Sequence, residues 1–407
     1  MLMRKPREGE IILTKSPAYL AGGASRNLTP ARLSSILSSL DMGDVTDAMT
    51  LFDEMEEKDL HLGAVTQTRK LAVVSKERTV ISASDDAEDV MIADFVREVF
   101  EGIPRMRETL TSLMTAVSHG FSIAEIIWDV SCGMVTVKDV LPRSQKHFDF
   151  VDQNDPSMLL DFPGYRALDS GEAMSLPRDK FIFHRHHGGN GNCLKAGLYR
   201  GVAWSYLFTN FTMKDWLTFM DLYGIPLRLG KYKNTADDKA REVLKNAVSN
   251  LGSDAAAVIS DDTTIEFIQS AVTGNHTLFK EAAEYFNRQK SKRILGQTLT
   301  TEASEKGAYS LGQVHDRVRA DIAAFDSMAL DETLNADLIR PLVDFNFGER
   351  KRYPKVVTSL STYGETDGKL EQLKKLLDLG AKVPARVAAE ITGVKLLGDL
   401  DAPLLKQ

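Results

Sequence analysis

The chain has 407 residues and a formal net charge of −7, from 50 Lys and Arg against 57 Asp and Glu. Hydrophobic residues make up 43% of it, which is enough to bury a large core and excludes a mostly disordered chain. The acidic total argues against tight, sequence-independent binding to duplex DNA, because that mode needs many cations to displace counterions. It does not exclude a protein that DNA slides past.

Cysteine content and hydropathy narrow the class further. With only Cys132 and Cys193, the chain offers neither a disulfide framework nor a cysteine-based zinc site. No apolar stretch follows the basic N-terminal residues, and the longest uncharged, largely apolar run, 201–213, is far shorter than the roughly 20 residues of a membrane helix. We therefore expect a soluble, cytoplasmic protein with no membrane partner.

The first half of the chain is predicted to form a mixed α+β domain over 28–190. Residues 1–27 are polar and lack a period, which indicates an N-terminal arm, and Thr29 then suits a helix N-cap. Hydrophobic spacing predicts the following elements, in chain order. They are helices at 30–42, 45–58 and from 63, a strand at 78–82, helices at 85–103 and 104–120, a hairpin over 121–140, and strands at 146–151 and 180–185.

The second half is dominated by long helices. The spacing predicts helices at 198–223, 235–251, 275–295 and 311–338, short strands at 225–230, 255–259 and 264–268, and a helix pair at 370–379 and 384–392. The strands at 255–259 and 264–268 are predicted to form a hairpin, and Pro341 is predicted to end the helix before it. The polar stretch 296–310 is longer than ordinary loops, and loops of that length are usually functional or disordered.

Two clusters leave functional alternatives open. His184 and His186 share one face of a predicted strand, and Cys193 follows a glycine-rich turn, so 184–193 is a candidate metal or nucleophile site of an enzyme. A strand end followed by a turn explains the same residues.

No P-loop sequence occurs, which argues against an ATP-driven motor. The pair at 370–392 has helix-turn-helix spacing, as in a DNA-binding regulator, but its second helix carries only one cation.

A basic run ends the predicted helix at 275–295. Residues 286–293 read FNRQKSKR, with four cations in the last turns. Cations there interact favourably with the helix dipole, and they would equally suit contact with a polyanion. The sequence supports both interpretations.

Several strings, taken together and in order, carry a family resemblance. They are GD, LFDEMEEKD and TRK within 43–70, HGFS and EIIW within 119–128, FIFHRH at 181–186, DW and YGIPLRLGKY within 215–232, GSDAAAVI at 252–259, ILGQTLTT at 294–301, VHDRVR at 314–319, and LN, LIRPLV and NFG within 334–348. The chain thereby resembles the Mu-like phage portal protein family over about 28–350. Residues 1–27 and 350–407 carry no matching motif.

The resemblance implies a phage portal fold of the α+β class, with an α/β wing, a helical stem, a small α/β clip and a helical crown. The implied parts are an N-terminal arm at 1–27, a wing at 28–197, stem helices at 198–224 and 275–295, a clip at 225–274, a channel loop at 296–310, a long helix and wing return at 311–350, and a crown at 351–407.

The resemblance also implies a role. Such proteins form a ring, usually of twelve subunits, at one capsid vertex, and double-stranded DNA enters and leaves through the ring. The implied partners are the terminase large subunit, the major capsid and scaffold proteins, and the head–tail adaptor proteins. The implied location is the virion, and the bacterial cytoplasm during assembly. No catalysis, cofactor or metal is expected.

The portal plan assigns candidate contact residues. The candidates for the DNA channel lie at the basic helix end and in the polar stretch after it; they are Arg288, Lys290, Lys292, Arg293, Gln297, Thr298, Thr300, Thr301 and Lys306. The candidates for the clip surface that faces the terminase are Lys231, Lys233, Asp237 and Asp238.

Overall fold

The computed structural model describes residues 6–11, 23–130, 133–151, 159–166, 173–187, 192–223, 227–232, 238–239, 242, 245–246, 263–268, 275–298, 309–359, 363–379, 381 and 383–392. The helices are α1 (Pro30–Asp41), α2 (Thr46–Lys58), α3 (Leu60–Val74), α4 (Ala87–Gly102), α5 (Met106–Leu113), α6 (Ala116–His119), α7 (Cys193–Ala196), α8 (Leu198–Tyr223), α9 (Asn275–Leu295), α10 (Tyr309–Leu334), α11 (Arg340–Phe347), α12 (Tyr363–Asp378) and α13 (Ala385–Thr392). The strands are β1 (Arg78–Ile81), β2 (Phe121–Asp129), β3 (Thr136–Arg143), β4 (Phe148–Val151), β5 (Leu159–Arg166), β6 (Ala173–Ser175), β7 (Phe181–Arg185), β8 (Leu227–Tyr232), β9 (Thr263–Ile268) and β10 (Lys355–Thr358).

Local sequence signals place the first helices. The Thr29 hydroxyl caps α1 by accepting a hydrogen bond from the Arg32 N–H at 3.2 Å, and the Asp59 carboxylate caps α3 in the same way through the Leu62 N–H at 2.9 Å. The apolar side of α1, including Leu33 and Leu40, is buried in the main core. The helices predicted at 30–42 and 45–58 are thus confirmed.

Among the described residues, two three-stranded and two two-stranded sheets, all antiparallel, accompany these helices. The first sheet has the order β3-β2-β7, and its central strand β2 is buried along most of its length. The second has the order β4-β5-β6, of which β5 and β6 are not predicted, because the Pro163-Gly164 pair interrupts the alternation of β5. We call α1–α7, β1–β7 and β10 the body, and α8 with α9 the helix pair.

Part of the predicted N-terminal arm lies on the body. The Glu10 carboxylate accepts a hydrogen bond from Arg143 Nη2 at 2.8 Å, and the Ile11 N–H donates to the fully buried carboxylate of Glu125. Arg143 also pairs with Glu125 at 2.9 Å, so the arm adds a second carboxylate to a buried ion pair. Residues 12–22 lie outside the described residues.

The chain returns to its beginning through β10, which pairs with β1 in the register Arg78↔Thr358 to Ile81↔Lys355. The Asn335 amide bonds both polar groups of Val356, as donor to its carbonyl (2.9 Å) and acceptor from its N–H (2.7 Å). A strand of four residues leaves little periodic signal, so β10 is not predicted from sequence.

The prediction that Pro341 ends the long helix is wrong. The backbone passes from α10 through a π-helical segment, Asn335–Ile339, directly into α11. Pro341 lies in the first turn of α11, where the lack of an N–H is tolerated because the π-helical segment has already broken the α-helical bonding pattern. The helix predicted at 104–120 is likewise divided, into α5 and α6.

Of the remaining predicted elements, some are confirmed, some have shifted bounds and some lie outside the described residues. Helices α8 and α9 have the predicted bounds, and α12 begins earlier than predicted, at Tyr363. Strand β9 pairs with β8, while its predicted hairpin partner at 255–259 and most of the predicted helix at 235–251 lie outside the described residues. Within the part of the chain that is described, no helix combines the length and the apolar character needed to cross a membrane.

Two glycines allow α6 to pass close to α7. Gly120 has φ +102°, and a Cβ there would lie 2.2 Å from the Cys193 carbonyl oxygen. A Cβ on Gly197 would lie 2.7 Å from the Gly120 nitrogen. The Gly120 carbonyl also accepts the His186 N–H at 2.8 Å, which ties this contact to the end of β7.

We predict that Gly120→Ala lowers the free energy of unfolding by about 3 kcal/mol, because it adds both a strained φ and a backbone clash. Gly201→Ala is the matched control: Gly201 lies inside α8 with open space at its Cβ, so we expect a gain of up to about 1 kcal/mol. Urea unfolding at one protein concentration measures both. Equal effects of the two substitutions would contradict the packing of α6 against α7.

Candidate nucleic-acid interface at the end of the helix pair

Helices α8 and α9 pack against each other in antiparallel orientation through aromatic rings. The Phe208 and Phe286 ring centroids are 5.9 Å apart, and those of Phe219 and Phe279 are 5.6 Å apart. Residue numbers increase along α8 in the direction in which they decrease along α9, so the two helices are antiparallel. The pair therefore holds the basic end of α9 close to the start of α8, next to the body.

The C-terminal turns of α9 are fixed to α3 of the body. The Lys290 ammonium, whose side chain is fully buried, pairs with the Asp59 carboxylate and donates to Asn287 Oδ1 at 3.2 Å. The His61 Nε2 and Ser291 Oγ atoms lie at hydrogen-bond distance, 2.7 Å apart. We call these two contacts, together with those of Arg69, the α3–α9 junction.

Arg69 links three elements in this junction. Its guanidinium, on α3, donates from Nε (2.8 Å) and Nη2 (3.1 Å) to the two carboxylate oxygens of Asp326 on α10. Its Nη1 donates to the Ile294 carbonyl at the end of α9, at 2.7 Å. The carboxylate is buried and the bonds are charge-assisted, so this is a strong and geometrically specific contact.

The basic run of α9 divides into two faces. Arg288, Lys292 and Arg293 are exposed, whereas Lys290 is buried in its pair with Asp59. Lys290 therefore attaches α9 to the body and does not present its charge at the surface, contrary to the expectation that it contacts DNA. Gln297 is also buried and Thr298 is half-buried. Three candidates lie outside the described residues: Thr300, Thr301 and Lys306.

Two arginines that the sequence analysis did not select lie on the other side of the connection from α9 to α10. Arg317 and Arg319 are both exposed, within the first three turns of α10. They belong to the VHDRVR string, and their closeness to the polar stretch in sequence was the signal that would have found them. Both helices that flank 299–308 thus carry exposed cations.

The clip candidates are only partly described. Lys231 lies in β8, opposite Thr264 of β9, and Asp238 is exposed. Lys233 and Asp237 lie outside the described residues.

His184, His186 and Cys193 have the surroundings of side chains that are packed inside the fold. Burial lowers the pKa of His184 to about 3, and its Nδ1 lies 2.9 Å from the Thr333 hydroxyl. Burial, with the Arg69 charge nearby, lowers the pKa of His186 to about 4. Burial raises the pKa of the Cys193 thiol to about 11, which disfavours the thiolate that a nucleophile needs. Among the described residues, no three His, Cys, Asp or Glu side chains are grouped to hold a metal.

Sequence comparison identifies the family. The family model described as the portal protein of Mu bacteriophage matches residues 49–394, so the chain belongs to that family. It is 30% identical to the Mu-like prophage FluMu protein gp29 of Haemophilus influenzae, over 98% of this chain and 77% of that protein. It is 31% identical to the portal protein of Escherichia phage Mu, over 88% of this chain and 70% of that protein.

Structural comparison agrees. A chain in the virion of a native gene transfer agent particle superposes with a TM-score of 0.55 and 11% identity, covering 92% of this chain and 96% of that one. A chain in the neck of the native particle, computed with C12 symmetry, gives 0.53 and 11%, covering 93% and 98%. The chain has the phage portal fold and a phage portal role, and neither the enzyme nor the regulator alternative is favoured.

We predict that Lys290→Met lowers the free energy of unfolding by about 3 kcal/mol, because it leaves the Asp59 carboxylate buried without its counter-charge. Arg288→Met, two residues away on the exposed side of α9, should change it by less than about 0.5 kcal/mol. Urea unfolding compares them. Similar losses for both would contradict the assignment of Lys290 to the α3–α9 junction.

Proposed function

We propose that this chain forms a closed ring of about twelve subunits at one capsid vertex, the passage through which a terminase packages double-stranded DNA and through which DNA leaves. Family membership and the likeness to chains of a symmetric particle neck support a ring in a virion. The count of subunits, the DNA and the named partners belong to the proposal.

The observation that carries the ring is a set of exposed apolar side chains on the helix pair and α10. In the single subunit they include Phe208, Met213, Leu217, Met220, Leu278, Tyr285, Phe325 and Met328. Soluble monomers rarely leave so many large apolar groups exposed on adjoining helices. A head-to-tail ring would bury them between neighbours, since each subunit then presents one flank to the next.

The described elements suit the implied parts of a portal. The body corresponds to the wing, the helix pair to the stem, β8 and β9 to the clip, and α12 and α13 to the crown. In this plan 296–310 is the channel loop, and the clip with Lys231 and Asp238 faces the terminase and later the head–tail adaptors. Major capsid and scaffold proteins would contact the outside of the wing. The protein would act as a structural conduit without catalysis, cofactor or metal, first in the host cytoplasm and then in the virion.

Contact with DNA is assigned to exposed cations near the channel loop. Arg288, Lys292 and Arg293 of α9, with Arg317 and Arg319 of α10, would meet passing phosphates. The chain as a whole is acidic, with a net charge of −7, so repulsion from the rest of the surface keeps these contacts weak. Weak contacts suit a duplex that must slide.

We predict that Leu217→Glu abolishes ring formation while leaving helix content unchanged, because a charge would be buried at each subunit contact. Leu217 is 57% exposed in the single subunit. Met42→Glu is the matched control, since Met42 is 62% exposed but lies at the end of α1 in the body. Mass photometry and negative-stain images measure the assembly. A wild-type chain that forms no ring, even with its capsid and scaffold proteins, would overturn the proposal.

We predict that Gln substitution of Arg288, Lys292 and Arg293 together leaves the ring mass unchanged but weakens duplex binding by purified rings and flattens its salt dependence. The matched control removes three exposed cations near β10, Lys351, Arg352 and Lys355. Fluorescence anisotropy across a salt series gives both quantities. If both triple variants bind alike, the DNA contact does not lie at the end of α9.

A further inference from the structure

The C-terminal end of α9 is held by hydrogen bonds from the body in addition to apolar helix packing. Arg69 occupies the Ile294 carbonyl, one of the last carbonyls of α9 that lack an intrahelical partner. The same guanidinium holds Asp326 of α10 through two bonds. One side chain of the body therefore sets the position of the helix on each side of the 299–308 connection.

Gly296, the residue that follows α9, is held as well. Gly296 has φ +70°, and a Cβ there would lie 3.1 Å from both the Ile322 Cδ1 and the Val318 Cγ1 atoms of α10. Its N–H donates to the Lys292 carbonyl at 3.1 Å, and Gln297 after it is buried. The backbone is therefore held against α10 up to Gln297. These contacts act together with those of Arg69 at the end of α9.

We propose that Arg69 is a positioning residue for DNA passage: it fixes the C-terminal end of α9 against α10, so that the exposed cations of the two helices take the same positions in every subunit of the ring. These cations are Arg288, Lys292 and Arg293 of α9 with Arg317 and Arg319 of α10. The inference rests on the proposed function of the ring. Arg69 does not itself touch DNA in this scheme, because its guanidinium is occupied by Asp326 and Ile294.

A second buried arginine, Arg78, serves as a control that distinguishes a positioning role from an effect on stability. Arg78 pairs with Asp331, also on α10, at 3.2 Å, and its side chain is as buried as that of Arg69. It contacts β10 and the body side of α10 and makes no described bond to α9. Arg78→Lys therefore weakens a buried arginine–aspartate pair on the same helix, α10, without touching the end of α9.

The experiment compares Arg69→Lys with Arg78→Lys in rings of the full chain. Lysine keeps the charge but cannot reach Asp326 and Ile294 together. Hydrogen exchange of the amides at 292–298 is measured first, and we expect about tenfold faster exchange in Arg69→Lys only. The yield of DNA-filled particles is then measured by complementing the parent phage or prophage that lacks its portal gene. We expect a several-fold loss for Arg69→Lys and none for Arg78→Lys.

Each possible result of these measurements either supports or overturns the positioning role of Arg69. Unchanged exchange at 292–298, or faster exchange with a normal yield of filled particles, overturns the positioning role, and so does an equal loss of yield in both variants. If Arg69→Lys forms no ring, Asp326→Asn, which keeps the shape of the carboxylate, is judged by the same two measurements. If wild-type rings package no DNA, the proposed function fails, while the exchange result still decides whether Arg69 fixes the end of α9.

Discussion

The placement of the long helices depends on the α3–α9 junction. Asp59 both caps α3 and neutralises Lys290, so the same carboxylate orders one helix and holds another. Arg69 extends the contact to α10 through Asp326. Without this junction the position of the basic end of α9 would depend on apolar packing, which tolerates sliding and rotation more readily than directional bonds do. The direction in which Arg288 and Lys292 face follows from this junction.

Within one subunit, the helix pair is fixed to the body at one end, but part of its apolar surface is exposed along its length. Aromatic contacts such as Phe208–Phe286 join α8 to α9, yet Leu217 and Leu278 remain exposed in the single chain. In the proposed ring, each subunit would gain stability from its neighbours, because association removes apolar surface that folding leaves in water. In the body, Asn335 bonds the outer N–H and carbonyl of Val356 in β10, so these two backbone groups are not available to a strand of another chain.

Much of the fold could be predicted because its elements are long and periodic. The bounds of α8 and α9 coincide with the predicted ones, since more than five turns of regular spacing leave little ambiguity. Some short or interrupted elements were not found: β10 has four residues, and β5 contains Pro163 and Gly164. The continuation past Pro341 needed a π-helical segment, which changes the bonding pattern without any distinct sequence signal.

The sequence by itself determined most of the longer secondary elements, the order of the motifs and through them the portal family, because these depend on local periodicity and on residue strings. It also placed four cations at the end of α9. Only the tertiary structure decided which of them are exposed, since Lys290 is drawn inward by Asp59, a partner 231 residues away along the chain. Arg69 belongs to the TRK string, but nothing in the local sequence indicates its contacts. Its role arises from three groups, on α3, α9 and α10, that meet only when the chain is folded.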